Sequence, residues 1–395
     1  MKNYGSSWLK FGLFTVGLGQ SFVFVIVPPL ARELGLSEVQ TSSIFAFSAI
    51  GWALTSAAWG RASDKYGRRN IAILGLLGYS ASLIAMITPL FLVEKNLLDL
   101  IFLFPLLVFG RMLNGLLGSA TRPASFAYVA DTSSKDKRTV KFARLESSFL
   151  IGTVAGPLIG GFLILISKET PFYIFSILGL IASIGIYKNI ENKPTTEINQ
   201  KKLIQKVSWK SKTVWPFLFI ASISSLCLAS LIQTIGFYLF DTFPDIEDLS
   251  VLISMTFVLL SISTIMSQYL FTDAFPLSNN KLLIYGILLL TFSYIVMALY
   301  PKLSVYYLAI IINGLGGGLL RPAISSSLSL AQSPEHQGSV AGYLGSVYPI
   351  GHILTPVLAM PIYALNPAFL YYFSSILCLI CFIFIITNPV FKTNR

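Results

Sequence analysis

Twelve long apolar stretches follow one another along this chain, and this succession constrains its fold more than any other feature. A helix that crosses a bilayer needs about 20 apolar residues. We place the stretches of that length near residues 8–30, 40–60, 70–93, 97–130, 142–166, 171–189, 214–241, 248–272, 281–300, 304–331, 339–363 and 367–389. The short breaks between them leave no room for a sizeable domain outside the membrane. The sequence therefore predicts an all-α membrane protein with twelve transmembrane helices.

The composition excludes a soluble globular protein. Only 11% of the 395 residues are charged, against about 25% in ordinary soluble domains. Cys227, Cys378 and Cys381 all lie in apolar stretches without the neighbouring His or Cys of a metal site, so we expect reduced thiols and no metal or other cofactor. The N-terminus carries no cleavage signal, and we expect a retained first span.

The net charge of +11 indicates orientation and not nucleic-acid binding, because the cations are concentrated in alternate loops. Loops on one side of the membrane carry 21 Lys and Arg residues, and loops on the other side carry four. Positively charged loops face the cytoplasm. We therefore expect a multi-pass protein of the bacterial inner membrane with both termini in the cytoplasm. The acidic residues Asp241, Asp245, Glu247 and Asp248 would then lie at the outer face.

An internal duplication divides the chain into halves. The sequences Asn-Gly-Leu and Arg-Pro-Ala of the fourth span recur in the tenth at an offset of 199, which pairs Asn114 with Asn313, Arg122 with Arg321, Gly152 with Gly351, and Pro157 with Pro356. At an offset of 213, Gln20 and Phe24 recur as Gln233 and Phe237. Parallel repeats of this kind occur in secondary transporters, with the ligand site between the halves. We expect two pseudo-symmetric six-helix bundles, residues 1–189 and 214–395, joined by a polar cytoplasmic linker at 190–213.

Three motifs resemble those of the major facilitator superfamily. Residues 60–69 (GRASDKYGRR) resemble its loop signature Gly-x-x-x-Asp-x-x-Gly-Arg-Arg/Lys, Arg111 with Gly115 resembles its arginine-glycine motif, and residues 152–161 (GTVAGPLIGG) resemble the motif of its proton-coupled exporters. The chain is similar to the twelve-span drug/proton antiporters such as the tetracycline exporters. This resemblance implies the major facilitator fold, alternating access and proton-coupled efflux of a drug or metabolite.

The exporter-type motif also has a physical interpretation. Gly152, Gly156 and Gly160 recur every four residues, so one helix face admits a close neighbour, and Pro157 permits a bend. We expect a hinge; plain tight packing is the alternative. The second half keeps Gly351 and Pro356 but has Thr355 and Ala359, so we expect this seam only once.

The loop motif predicts a conformational latch. The resemblance implies that Asp64 faces the start of a second-half helix and that Arg68 with Asp131 forms a charge relay that locks the outward-facing state. The alternative is that these charges only fix the topology. The equivalent region near Asp273 and Lys281 has lost the pattern.

Ionisable groups inside spans cost at least about 2.5–3.5 kcal/mol by insertion scales, which makes them functional candidates. Arg111, Gly115, Gly118 and Arg122 fit helical spacing and would form one stripe. In this superfamily spans one, four, seven and ten line the cavity, and we expect the substrate to contact Gln20, Phe24, Arg111, Asn114, Arg122, Gln233, Phe237, Asn313 and Arg321. Paired arginines favour a substrate with negative charge or several carbonyl groups. Alternatively, Arg122 and Arg321 snorkel or brace loops.

Proton coupling needs a group that titrates, and the first span has no carboxylate. Glu146 in the fifth span, Asp241 at the outer end of the seventh and His352 in the eleventh are the candidates. No phosphate-binding loop and no catalytic triad or metal motif is present, so we expect neither ATP-driven transport nor an enzyme. The expected partners are a small-molecule substrate, protons and the bilayer, without nucleic acid, and the protein is expected to be a monomer. The alternative function is an importer or exchanger of an organic anion or a carboxylate-rich solute such as a siderophore.

Overall fold

The computed structural model describes residues 4–133, 135–192, 208–244, 249–275, 277–332 and 337–391. Within these ranges the chain forms helices and turns without any β-strand. Twelve helical spans within these ranges are long and apolar enough to cross a membrane, which confirms the predicted all-α architecture. Three predicted features lie outside the described residues: Asp245, Glu247 and Asp248 of the acidic cluster, residues 193–207 of the linker, and the chain ends.

The first six spans belong to one compact unit, Met1–Asn199. Its helices are α1 (Tyr4–Glu33), α2 (Glu38–Tyr66), α3 (Arg68–Glu94), α4 (Leu103–Leu116), α5 (Thr121–Asp131), α6 (Lys135–Ile164) and α7 (Thr170–Asn189). Helix α1 packs along α6 and α7, and α3 packs against α4 and α7. The ring of Phe22 meets those of Phe172 and Phe175 edge to face, with centroids 5.2 and 5.4 Å apart. This buried aromatic cluster joins α1 to α7.

The other six spans belong to a second compact unit, Gln200–Arg395. Its helices are α8 (Trp215–Thr242), α9 (Leu249–Gln268), α10 (Asn279–Leu299), α11 (Leu303–Leu330), α12 (Gln337–Leu354), α13 (Met360–Leu365) and α14 (Pro367–Thr387). A π-helical segment, Thr355–Ala359, connects α12 to α13 within the eleventh span. Helix α11 packs against α9 and α10, and α8 packs against α12. Buried Tyr238 stacks on Tyr306 with centroids 4.7 Å apart, which ties α8 to α11.

Local sequence determines both ends of α2. Ser37 and Gln40 form a capping box, in which each side chain accepts a hydrogen bond from the backbone N–H of the other residue. At the other end Gly67 has a φ of +91°, a region that residues with a Cβ rarely adopt. The side chain of Asn192 lies where a Cβ at this position would be, and its amide donates to Tyr66 O. The glycine of the loop signature is therefore required by the backbone of this turn.

The fourth span is interrupted, and here the sequence prediction was wrong. The predicted stripe of Arg111, Gly115, Gly118 and Arg122 assumed one continuous α-helix. Instead α4 ends at Leu116, a 3₁₀ turn follows at Gly118–Ala120, and α5 begins at Thr121. In the second unit α11 carries the repeated sequence without a break.

Contacts from neighbouring helices explain the interruption. Helix α3 approaches closely because Gly75 and Gly78 have no side chain; a Cβ at either would collide with residues 117–121. On the α2 side, Trp59 Nε1 donates to Leu116 O over 2.6 Å, and Thr55 Oγ1 donates to Gly115 O over 3.3 Å. These side chains satisfy carbonyls at the break, as a membrane environment demands.

The loops of the first unit meet at two opposite ends. Lys168 Nζ lies 3.3 Å from Glu33 Oε2 and 3.9 Å from Glu94 Oε1, so one end brings together the termini of the first, third and fifth spans. The other end brings Arg68 to Asp131. This alternation agrees with the predicted order of the loops, while the assignment of one end to the cytoplasm stays a prediction.

Candidate functional site

The glycines of the exporter-type motif lie against α1. A Cβ on Gly152 would collide with Phe14 O, and one on Gly156 would collide with Leu18 O and the Ser21 hydroxyl. Gly160 in turn lies directly against the ring of Phe22. The close approach of α1 and α6 therefore requires that these three side chains are absent. The hinge role, which includes Pro157, stays a prediction.

The second unit retains one contact of this kind, at Gly351, which agrees with the expectation that the complete glycine seam occurs only once. A Cβ on Gly351 would collide with the backbone of Ser225, which places α12 close to α8. Thr355 lies one helical turn after Gly351, and its hydroxyl donates to Gly351 O over 2.8 Å. The π-helical segment begins at this residue. In the second unit the close contact at Gly351 is thus followed by a π-helical segment and not by further glycines on the same helix face.

The predicted latch residues are in contact. Arg68 Nε donates to Asp131 Oδ2 over 3.0 Å, and Arg68 also pairs with Asp64. Its Nη1 donates to the buried Ser63 hydroxyl over 2.5 Å. Asp64 was expected to face a second-half helix; within the first unit its carboxylate pairs with Arg68. Whether this network locks a conformation stays a prediction.

Arg122 and Glu146 form an ion pair between α5 and α6. We expected these residues in separate roles, Arg122 in substrate binding and Glu146 in proton coupling. Both side chains are partly exposed, at 41% and 38%. The guanidinium carbon of Arg122 lies 5.8 Å from the centroid of Phe126 and 5.6 Å from that of Phe149. A titratable carboxylate and an arginine thus share one partly open site with two aromatic rings.

Arg321 is the repeat partner of Arg122. It lies in α11 and is exposed. Its guanidinium carbon lies 4.1 Å from the centroid of Tyr348 in α12. This distance is typical of a cation–π contact. Within the described ranges Arg321 has no carboxylate partner.

Arg111 is almost completely buried, with 4% of its surface exposed. Its guanidinium carbon lies 5.7 Å from the centroids of both Phe24 and Phe45, whose rings stack 4.6 Å apart. Its Nε is buried and has no hydrogen-bond partner among the described residues. Gln20, one turn from Phe24 on α1, is half-buried. The aromatic pair holds this cation in place without a counter-charge in the described part of the chain.

The two repeated asparagines lie in the interior of their units. Asn313 is 1% exposed and donates through Nδ2 to the Ser293 hydroxyl in α10 over 2.8 Å. Asn114 is 3% exposed, and its side-chain oxygen lies where a Cβ on Gly118 would be. Their positions suit helix packing, and a substrate contact would require a rearrangement of the unit.

Two polar contacts join the seventh span to the eleventh. Gln233 Nε2 and His352 Nδ1 are hydrogen-bonded at 3.0 Å, and the Tyr363 hydroxyl donates to Asp241 Oδ2 over 2.8 Å. Phe237, between them on α8, has its ring 6.3 Å from that of Tyr363. The candidate proton carriers His352 and Asp241 are therefore both engaged by neighbours in the second unit.

Sequence reasoning missed the aromatic rings around Arg122, although their spacing gave a signal. Phe126 follows Arg122 by four residues and Phe149 follows Glu146 by three, so each ring lies next to its charge on a helix face. Phe45, Trp59 and Tyr363 gave no comparable signal because their partners lie on other helices. In the described part of the chain, no three His, Cys, Asp or Glu side chains come together as a metal site would require.

Comparisons with solved structures show the same fold over nearly the whole chain. A bacterial homologue of the human lysosomal transporter Spinster, in an inward-facing and unoccupied conformation, matches with a TM-score of 0.74 at 16% identity, covering 100% of this chain and 99% of the other. The human organic anion transporter MFSD10 matches with a TM-score of 0.69 at 17% identity, covering 96% and 98%.

Sequence comparisons agree along most of the length. Multidrug resistance protein 1 of Bacillus subtilis (strain 168) is 26% identical over 383 residues, covering 95% of this chain and 94% of the relative. Quinolone resistance protein NorA of Staphylococcus aureus (strain MSSA476) is 26% identical over 369 residues, covering 89% and 88%. The family model of the Major Facilitator Superfamily matches residues 9–276. The chain therefore belongs to the major facilitator superfamily and is a membrane transporter, not an enzyme.

Proposed function

We propose that this protein exports small organic molecules from the bacterial cytoplasm in exchange for protons, by alternating access. The observation that carries the proposal is the ion pair of Arg122 with Glu146, which puts a titratable carboxylate in a partly open site within a span. The tight α1–α6 seam supports export, because its glycines form the motif shared with proton-coupled exporters. The relatives named for drug resistance, which match most of this chain, support it further.

Exchange requires that a proton and a substrate exclude each other. The Glu146 carboxylate can accept a proton, hold Arg122, or accept a cationic or N–H group of a substrate, and a proton on it removes the charge that the other two need. A substrate that binds this carboxylate therefore displaces the proton. In this mechanism Arg122 occupies the carboxylate when no substrate is present.

For the alternative function, the same geometry predicts that the proton and the substrate move in the same direction. An anionic substrate would bind Arg122 after protonation has released it from Glu146, so the proton and the substrate would bind together and move in one direction. Arg111 and Arg122 in the fourth span and Arg321 in the tenth favour this second candidate, a proton-driven importer of organic anions. The relative direction of the two fluxes thus discriminates between the candidates.

The test uses inside-out membrane vesicles with an acidic lumen and the fluorescent cation ethidium. We expect ethidium to enter the lumen while protons leave it, and Glu146→Gln to abolish the dependence on the pH gradient. Glu169→Gln, a carboxylate at the end of the same unit, is the matched control and should behave as wild type. Ethidium uptake that ignores the gradient, or protons that move in the same direction as substrate, would overturn the proposal.

The remaining organisation follows the sequence prediction. We infer six-helix bundles at residues 1–189 and 214–395, a cytoplasmic linker at 190–213, both termini in the cytoplasm, and a monomer. Reporter fusions at residues 1, 200 and 395 should all report the cytoplasmic side, and light scattering in detergent should give the mass of one chain.

A further inference from the structure

The internal repeat relates two contacts between an arginine and an aromatic ring. At the offset of 199, Arg122 corresponds to Arg321 and Phe149 corresponds to Tyr348. In both units the guanidinium lies near the ring of the following span, at 5.6 Å from Phe149 and at 4.1 Å from Tyr348. The contact is therefore present in both copies of the repeat.

The third member of the set differs between the copies. Glu146, which pairs with Arg122, corresponds to Gly345, which has no side chain. Throughout the part of the chain that the structure describes, no acidic side chain pairs with Arg321. The first unit thus contains arginine, ring and carboxylate, whereas the second contains arginine and ring alone.

Tyr348 adds a second group that lacks a partner. Its hydroxyl oxygen is buried, and no described residue forms a hydrogen bond with it. Buried hydroxyl groups are normally hydrogen-bonded. A guanidinium with free N–H groups and a hydroxyl without a partner therefore lie together where the related site holds an acid group.

We propose that Arg321 and Tyr348 bind the acid group of an organic ligand, a carboxylate or a phosphate, in the place that Glu146 fills beside Arg122. This inference rests on the proposed transport function, because the ligand is the transported molecule, and it adds an acid group to the cationic or N–H group that Glu146 would bind. The cation–π contact holds the guanidinium while its N–H groups donate two parallel hydrogen bonds to the oxygens of the acid group. The Tyr348 hydroxyl donates a further hydrogen bond.

The experiment compares 2-naphthoate with its neutral analogue 2-naphthamide, binding to the purified protein in nanodiscs of phosphatidylcholine, by equilibrium dialysis. We expect wild type to bind the acid more tightly than the amide. Arg321→Gln should weaken binding of the acid roughly tenfold or more, because a hydrogen bond to a charged group is lost, and should leave the amide unchanged. Gly345→Glu should weaken binding of the acid by a similar factor, since the new carboxylate would compete with the ligand for Arg321.

Two further variants keep the test decisive. Tyr348→Phe keeps the ring and the fold. It should weaken binding of the acid by roughly tenfold at most and leave binding of the amide unchanged. Lys302→Gln removes an exposed cation from the same unit and should change neither ligand. Equal binding of acid and amide, or an unchanged preference in both Arg321→Gln and Tyr348→Phe, would overturn the inference.

The source of the acid group is tested by adding phosphatidylglycerol to the nanodiscs. If the anionic lipid abolishes naphthoate binding, the site takes an anionic lipid headgroup and the inference about the transported molecule is overturned. Unchanged naphthoate binding supports it. Ethidium exchange in vesicles is measured on the same preparations, so that a failure of proton exchange with intact naphthoate binding counts against the proposed function alone.

Discussion

The guanidinium of Arg68 donates to the carboxylate of Asp131 over 3.0 Å, and this contact joins the turn between α2 and α3 to the end of α5. Arg68 is mostly buried, whereas Asp131 is half-exposed, with side-chain exposures of 14% and 51%. An isolated surface ion pair contributes only about 0–1 kcal/mol to stability. The network is therefore better suited to bias a conformational equilibrium than to hold the fold.

Arg68→Gln should lower transport roughly tenfold, because the bias between conformations is lost, and should leave the amount of folded protein unchanged. Arg69→Gln is the control: it removes the same charge from the same loop, but Arg69 stacks on Tyr187 at 4.8 Å and does not pair with a carboxylate in the described residues. Transport measured in vesicles checks both. Equal losses in the two variants would show that the charges serve topology and not a latch.

Gly152→Ala should destabilise the protein by about 1–3 kcal/mol, because the new Cβ forces α6 away from the Phe14 carbonyl. Gly317→Ala in α11 is the matched control, since nothing lies within 4 Å of a Cβ there. It should stabilise by about 1 kcal/mol through helix propensity. Thermal unfolding in detergent measures both changes, and a midpoint that moves in the same direction for both would contradict the packing argument.

Trp59→Phe should cost about 1 kcal/mol, because the indole N–H that donates to Leu116 O is lost while the aromatic ring is kept. Trp209→Phe replaces an exposed tryptophan outside the spans and should have no effect. Chemical or thermal unfolding provides the measurement. An unchanged midpoint in Trp59→Phe would mean that the break in the fourth span does not depend on this bond.

The cysteines should be unreactive in the folded protein. Cys227, Cys378 and Cys381 are at most 1% exposed, and the sulfur atoms of Cys227 and Cys378 are 4.0 Å apart without a disulfide. Fluorescent maleimide should therefore label none of them in detergent micelles and all three after denaturation in dodecyl sulfate. Ser208→Cys, at an exposed position, should label without denaturation. Labelling of the native wild type would contradict the burial of these three side chains in α8 and α14.

The spans were predictable because hydropathy is a local property of the sequence, and the family was predictable because its motifs lie in short segments. The ion pair of Arg122 and Glu146 was not, since it depends on the relative rotation of α5 and α6. Asn313 was expected in the cavity on the strength of the repeat, yet its amide is used by Ser293. A repeated residue indicates a repeated position, and only the neighbouring helices determine what the side chain contacts.

The interruption at Gly118–Ala120 has a mechanical consequence. A continuous α-helix resists bending through an unbroken ladder of backbone hydrogen bonds, and in the fourth span that ladder is replaced locally by bonds from Trp59 and Thr55. We therefore expect the segment with Arg122 to bend more easily than a continuous helix would, while the segment with Arg111 stays between its rings. The tenth span has no such break, so we expect the backbone at Arg321 to move with its whole helix.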